Sequence, residues 1–439
     1  MNKKNSVSIY NLLSFLTKFV EGRISYIDNE NRKDPAFMHY YNEIVRYWNR
    51  LNFILSRTTH LNNKDKKLKS DTIAKYLYII FCYIEEKTPV NKIISEITIN
   101  NQDLSFIKKL IRFSFKRALE RKPAIEKLSL IYAYPTFLIR HLESYMQKDF
   151  LKANLVQMNS YDMNTDMFSF FLNNLAIKNG EELNILLRDL KDSKIEAVPD
   201  NDFSLLYYTL LKNKKKIILS HWYKTGKIII VDKASLIVAS VLAPKEDELI
   251  SDSCAAPGIK TTLLAQLTNN RSKIIASDFS YKRTKEMNSL LKKLSIYSVF
   301  SLNSDSINPV IRDDIKFDSV LIDAPCTGSG ALFSNPELKW RQNFNFLKQN
   351  MILQTKLLNS GINNLKPGGI LVYSTCSLYA EEGELQILKF LDKLEPISLP
   401  EWVSNGYKIK DQYIEGTGRL YPSIHSTKGF FIGKFKKKE

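Results

Sequence analysis

The chain predicts an α/β protein, with a mostly parallel, doubly wound sheet preceded by a small α+β module and an all-helical N-terminal region. Three observations carry this. From residue 249 onward, apolar β-rich runs at 249–252, 273–277, 297–302, 317–322 and 369–373 are interleaved with helical patterns at 260–267, 282–294, 346–365 and 381–391. That order is expected of parallel strands joined by crossover helices. Residues 1–150 instead carry apolar residues on a 3.6-residue period. Between them, short runs of both kinds alternate. The expected domains are therefore 1–150 (helical), 151–235 (α+β) and 236–439 (sheet).

In the first region, Tyr10, Leu13, Phe15, Leu16, Phe19 and Val20 mark one helix. Similar patterns recur at 44–55, 72–84, 104–119 and 125–146, with a new helical stretch opening at Tyr134-Pro135-Thr136. Residues 62–70 read as a lysine-rich exposed loop. Lys108, Lys109, Arg112, Lys116, Arg117, Arg121 and Lys122 cluster on and after one helix, as a phosphate-binding face or as an ordinary solvated one. In the middle region, 167–175, 217–219 and 227–231 read as strands, 180–190 as a helix and 212–216 as a basic loop. Residues 429–435 form a late strand before a lysine tail.

Composition narrows the class. At 439 residues, 44% hydrophobic and 25% charged, the chain has ample material for packed cores. The net charge of +18 favours a polyanionic partner. The excess is uneven, +13 in residues 1–235 against +5 in 236–439, so the first half is the expected docking surface for phosphates. Cys82, Cys254, Cys326 and Cys376 have neither metal-type spacing nor the density of a disulfide framework, and a reducing, cytoplasmic setting is expected. The N-terminal apolar run is broken by Asn11 and Lys18 and does not read as a signal peptide. No apolar stretch of about 20 residues suits a bilayer. Neither a metal nor a membrane partner is expected, and a monomer is.

The chemistry concentrates where strands end, since ligands of open α/β sheets bind beyond the carboxyl ends of the strands. Asp323-Ala324-Pro325-Cys326 follows one predicted strand and Ser374-Thr375-Cys376-Ser377 another. Two thiols and a carboxylate at neighbouring strand ends suggest one site, although 50 residues separate the cysteines. Upstream, Asp252-Ser253-Cys254-Ala255-Ala256-Pro257-Gly258-Ile259-Lys260-Thr261 joins a strand to a helix through small residues, which allow close approach of a ligand. It is neither a P-loop nor a dinucleotide fingerprint, because the required glycines are missing. Asp278 ends the next strand, where a carboxylate can accept ribose hydroxyls, and Asp305 follows the third; each could otherwise be a loop or cap aspartate.

In this order the segments resemble the RsmB/NSUN family of S-adenosylmethionine-dependent RNA cytosine-5 methyltransferases. The likeness runs from Asp252–Thr261 through Asp278 with Arg283, Asp305, Asp323–Cys326, Asn335–Trp340, Leu365–Gly369 and Ser374–Ser377 to Gly429-Phe430-Phe431. The N-terminal half is similar to the bacterial 16S ribosomal RNA branch, which carries a NusB-like helical RNA-binding domain. The chain departs from the family at Ile259, where a second glycine is usual, at Gly383, where asparagine is usual, and at Lys428, where aspartate is common.

The resemblance implies a Rossmann-like class I methyltransferase domain and S-adenosylmethionine as cofactor, held by Cys254, Ala255, Ala256, Pro257, Gly258, Ile259, Lys260, Asp278, Arg283, Asp305 and Asp323. It implies Cys376 as the nucleophile on carbon 6 of cytosine, Cys326 as the thiol for proton removal and product release, Asp323 as the group orienting the base, and a supporting role for Lys260. Ribosomal RNA is the favoured substrate and transfer RNA the second. A non-catalytic RNA-binding assembly factor is the reading from another class. Chemistry alone leaves the nucleophile open, because DNA cytosine-5 methyltransferases attack with a Pro-Cys thiol in the position of Cys326.

Overall fold

The structure, a computed structural model, describes residues 3–23, 34–59, 68–159, 167–312 and 314–439. The predicted loop at 62–70 lies largely outside these. The chain divides into two compact units, one of residues 1–143 with 332–342, the other of residues 144–331 with 343–439.

The first unit is helical, and its helix boundaries follow from caps and breakers. Asp34 accepts from Ala36 N at 2.9 Å and precedes Pro35, which opens helix Pro35–Arg46. Asn100 and Asp103 form a reciprocal capping box on Asn101–Ile111. Three predicted patterns each prove to be two helices. Residues 44–55 divide at Tyr47, between Pro35–Arg46 and Trp48–Thr59. Residues 104–119 divide where Ser114 caps Phe115–Leu119. Residues 125–146 divide where Ala133 turns left-handed after Ala124–Tyr132 and Thr136–Glu143 begins. Periodicity survives such breaks because both halves face one core, here built on Leu12, Leu16, Ile44, Leu51, Ile54 and Leu77.

Residues 332–342 complete this unit. Trp340 donates its indole N–H to Val45 O at 2.6 Å. The buried Lys339 amine donates to Ala133 O at 3.1 Å and lies 3.9 Å from the Tyr134 ring centroid. Burial, and then nearby Arg46, pull the Lys339 pKa well down.

The second unit holds two sheets. The smaller one has the order β2-β3-β1-β4, all antiparallel, from β1 (Met167–Leu172), β2 (Val198–Pro199), β3 (Leu206–Leu210) and β4 (Ile228–Ile230). The expected strand at 217–219 is instead part of helix Lys214–Leu219, and the basic segment before it is a helical turn. Three apolar residues are too few to carry a period, and only Ile217 of them is buried.

The larger sheet contains β5 (Leu249–Ser253), β6 (Lys273–Asp278), β7 (Val299–Asn303), β8 (Phe317–Asp323) and β9 (Leu365–Thr375), all parallel, in the order β9-β8-β5-β6-β7. The antiparallel strands β10 (Leu394–Pro396), β11 (Ser404–Asn405), β12 (Thr417–Leu420) and β13 (Phe430–Lys437) extend it beyond β9 to nine strands. Helix Lys233–Leu242, capped by Asp232, is buried almost throughout and shares one core with Phe171 and Ile229 of the small sheet and Ile250 and Val372 of the large one. Residues 381–391 form short turns around Gly383, whose φ of −127° and ψ of −102° interrupt the predicted helix. Among the described residues no helix is long and apolar enough to cross a membrane.

Candidate active site

The carboxyl ends of β5, β6, β8 and β9 bring together most of the residues singled out in the sequence. After β5 the chain turns through Cys254, at φ 63°, and Gly258, at φ 100°. A Cβ on Gly258 would lie 2.7 Å from Met287 Cγ, so both conformation and space demand glycine there. Ala255 N donates to Ser277 O at 2.9 Å, tying the loop to β6. Asp278 is buried beside it. Its carboxylate accepts from Ala256 N at 3.2 Å and Ser280 N at 3.0 Å, and Arg283 Nη1 stands 3.3 Å away. Arg283 also donates to Ala256 O. Asp278 and Arg283 thus fasten the loop as well as facing the strand ends. Asp305 accepts from Ile307 N at 2.9 Å and shapes the turn after β7.

Asp252 is fully buried. Thr261 Oγ1 donates to its Oδ2 at 2.6 Å, whereas Oδ1 has no partner among the described residues. Burial, opposed by the Thr261 bond, pushes its pKa up to about 7. Burial likewise lifts the Cys254 thiol to about 12, so that thiol stays protonated.

Asp323 ends β8 and pairs in register with Ser374 of β9. Its Oδ1 accepts from Ser374 Oγ at 2.8 Å and its Oδ2 from Lys260 Nζ at 2.6 Å. Burial lowers the Lys260 pKa, but Asp323 and the nearby sulfur of Cys376 more than offset this, so the amine stays charged. Three residues past Asp323, Cys326 Sγ lies 3.1 Å from Cys376 Sγ. The hydrogen bond to Cys376 and then burial raise the Cys326 pKa well above its ordinary value. Both cysteines are half-buried.

Gly328-Ser329-Gly330 has a structural task. Gly330 and Gly429 cross so closely that a Cβ on Gly330 would fall 2.1 Å from Gly429 O. Gly330 O accepts from Gly429 N at 2.9 Å and Gly330 N donates to Cys376 O at 3.0 Å. The departures from the family pattern are also accommodated. Ile259 opens helix Ile259–Leu267 and packs on the apolar core. A Cβ on Gly383 would meet Phe431 Cδ2 at 2.6 Å. Lys428 Nζ stands 3.8 Å from Asp232 Oδ2. Sequence reading missed Ser374 as a donor to Asp323, and the buried groups Glu382, Glu384 and Arg419 behind the cysteine loops.

A nine-stranded, mostly parallel sheet with a small-residue loop after one strand and buried carboxylates at the next strand ends is the fold of class I methyltransferases. The chain belongs to the RsmB/F methyltransferase family, whose model, described as 16S rRNA methyltransferase RsmB/F, matches residues 239–436. It is similar to the tRNA (cytosine(72)-C(5))-methyltransferase of Pyrococcus horikoshii, 37% identical over 46% of this chain and 50% of that one. It is also similar to the tRNA (cytosine(49)-C(5))-methyltransferase of Pyrococcus abyssi, 34% identical over 49% of this chain and 72% of that one. The crystal structure of PH0851 matches with a TM-score of 0.73 and 27% identity, covering 92% of this chain and 90% of that one. The chain spans about half the length of the first curated relatives it matches.

Proposed function

We propose that this protein is an S-adenosylmethionine-dependent RNA cytosine-5 methyltransferase, with ribosomal RNA as the favoured substrate and transfer RNA as the second. The observation that carries this reading is the pair of sulfurs 3.1 Å apart beside the Lys260–Asp323 ion pair. One reactive thiol would serve many reactions; two, with a base-orienting carboxylate, suit addition to a pyrimidine followed by elimination. The family's description as 16S rRNA methyltransferase supports the choice of ribosomal RNA.

The residues present fit the cofactor. Asp252 Oδ1 is an unsatisfied buried acceptor suited to an ammonium group. Asp278 Oδ1 accepts one backbone N–H and retains a lone pair for a ribose hydroxyl, and the 254–258 loop is lined by small residues. When bound, S-adenosylmethionine supplies an electrophilic methyl group.

The protein's own part proceeds from Cys376. Its thiolate, with the Lys260 ammonium nearby, adds to carbon 6 of the base, which makes carbon 5 nucleophilic. Asp323 and Lys260, locked to each other, orient the ring through its amino group and adjacent nitrogen. Addition ties up the Cys376 sulfur that held the Cys326 proton, so Cys326 loses that proton to solvent; after methylation, as thiolate, it takes the carbon 5 proton, the carbon 6–sulfur bond breaks, and Cys376 leaves with that electron pair. Cys326 passes the proton to solvent. The base must leave its stack to reach the thiols.

Methyl transfer from labelled cofactor to ribosomal RNA stripped of protein, followed by bisulfite sequencing, tests the reading. One protected cytosine in ribosomal RNA and none in transfer RNA is expected; the reverse would move the substrate to transfer RNA, and no protected base would end the proposal.

Asp252 makes cofactor affinity pH-dependent. Its carboxyl is mostly protonated at about pH 5.5 and half ionised at about pH 7, so an ammonium ligand binds about ten-fold more tightly at the higher pH. Calorimetric titrations should show that rise in the wild type and a flat profile in Asp252→Asn.

The helical unit offers Lys108, Lys109, Arg112, Lys116, Arg117 and Arg121 exposed on neighbouring helices, with Lys122 paired to Glu126. Each phosphate contact contributes about 0.7–0.9 to the slope of log affinity against log salt. Replacing Lys108, Lys109, Lys116 and Arg117 by alanine should weaken RNA binding and flatten that slope by about three. An unchanged slope in filter-binding across a salt series would remove this face from the RNA footprint.

A further inference from the structure

The short segment Glu382-Gly383-Glu384 grips the chain on both sides of both cysteines. The Glu382 carboxylate is fully buried behind the Cys326 loop. It accepts from Thr327 N at 2.9 Å, from Thr327 Oγ1, and from Gln354 Nε2 at 3.0 Å. The same Gln354 Nε2 donates to Pro325 O at 2.9 Å. Both neighbours of Cys326 are therefore tied to Glu382, one directly and one through a shared amide. The backbone carbonyl of Glu382 accepts from Tyr373 Oη at 2.9 Å and from Thr375 Oγ1 at 3.2 Å, which holds the strand end just before Cys376. Two residues on, the Glu384 carboxylate accepts from Arg419 Nε at 2.8 Å and Nη2 at 2.6 Å. Arg419 in turn donates to Ser377 O at 3.0 Å and Tyr379 O at 3.1 Å, just after Cys376. Gly383 joins the two halves where no side chain fits, its Cβ position lying 3.0 Å from Arg419 Nη2.

We infer that Glu382 is a positioning residue that sets the separation of the two thiols, and so couples addition by one to release by the other. This rests on the proposed methyltransferase reading, but the thiol separation is open to measurement without RNA or cofactor. Both cysteines sit on loops, and a loop thiol is otherwise free to drift by an ångström. A buried carboxyl group that receives a backbone N–H, a hydroxyl and an amide fixes the Cys326 loop, because leaving any of these buried polar groups unpaired is costly. Its carbonyl fixes the other loop through the same residue. Burial raises the Glu382 pKa despite those donors, as expected of a carboxyl group taken out of water.

The test is the equilibrium between the thiol pair and a glutathione buffer in the full-length protein. Oxidised glutathione takes two electrons from the pair, giving one protein disulfide and two reduced glutathiones, and the equilibrium constant measures how well the two sulfurs are presented to each other. Glu382→Gln should lower that constant about ten-fold while near-native circular dichroism is retained. In turnover it should lengthen the life of the protein–RNA conjugate more than it slows methyl transfer. Gln354→Leu, which removes the Pro325 link and one donor to Glu382 but leaves both Thr327 bonds, should shift the constant in the same direction by a smaller factor, and serves if Glu382→Gln does not fold. Leu358→Ala, which opens a cavity in the same core but removes none of these hydrogen bonds, should leave it unchanged. An unaltered constant in Glu382→Gln, or an equal shift in Leu358→Ala, would overturn the inference. A shifted constant in a protein without methyl transfer activity would uphold the positioning role and refute the proposed function alone.

Discussion

Cys326→Ala is expected to accumulate as a covalent protein–RNA conjugate, and Cys376→Ala to form none. The family likeness gives the attack to Cys376, and the Lys260 ammonium stands near its sulfur, whereas burial and the bond to Cys376 raise the Cys326 pKa. Without Cys376 the carbon 6 bond cannot form, so both methylation and conjugation should vanish. Without Cys326 the attack and methyl transfer proceed, but nothing removes the carbon 5 proton and the adduct cannot collapse. Turnover should fall by at least about 100-fold, the lower range for a lost general base. A denaturing gel with labelled RNA and cofactor reads the outcome as a shifted band. A conjugate confined to Cys376→Ala would exchange the two roles. No conjugate from either variant, beside an active wild type, would argue against covalent catalysis.

Arg419→Met should cost about 3–5 kcal/mol of stability, because it strands the Glu384 carboxylate in the core. Neither side chain of this pair reaches solvent. Arg419 also lies 4.0 Å from the Tyr407 ring centroid and satisfies two backbone carbonyls. Replacing both partners, as Arg419→Met with Glu384→Leu, removes the stranded charge and should recover most of the loss. The carbonyls of Ser377 and Tyr379 stay unpaired, so recovery should be incomplete. Urea unfolding of the single and double variants measures both values. A single variant as stable as the wild type would contradict the buried pairing.

Most of the parallel strands were legible because they are buried runs bounded by turn residues, as at 317–322 and 369–373, whereas the edge strand β7 has no buried residue. The site was legible for a related reason, since parallel strands deliver the residues at their ends to one edge. Asp252, Asp278, Asp323 and Cys376 each follow or finish such a run. What escaped is what depends on distant partners. Helix Lys233–Leu242 is apolar on every side and so shows no period. Arg419 and Glu384, 35 residues apart, look like ordinary surface charges until the fold buries them together. Asp278 and Asp305 look like ligand carboxylates, yet each is also engaged by the backbone of its own loop. Sequence supplies the residue types at the site, while their second allegiance is a property of packing.

The completion of the helical unit by residues 332–342 bears on how the protein is made. The carbonyls of Val45 and Ala133 find the donors of Trp340 and Lys339 only in that later segment. A ribosome adding about 5–20 residues per second reaches it roughly 10–40 s after finishing residue 143. For that interval the nascent helices hold an open seam, and the order of synthesis delays closure of the N-terminal unit until residue 342 is in place.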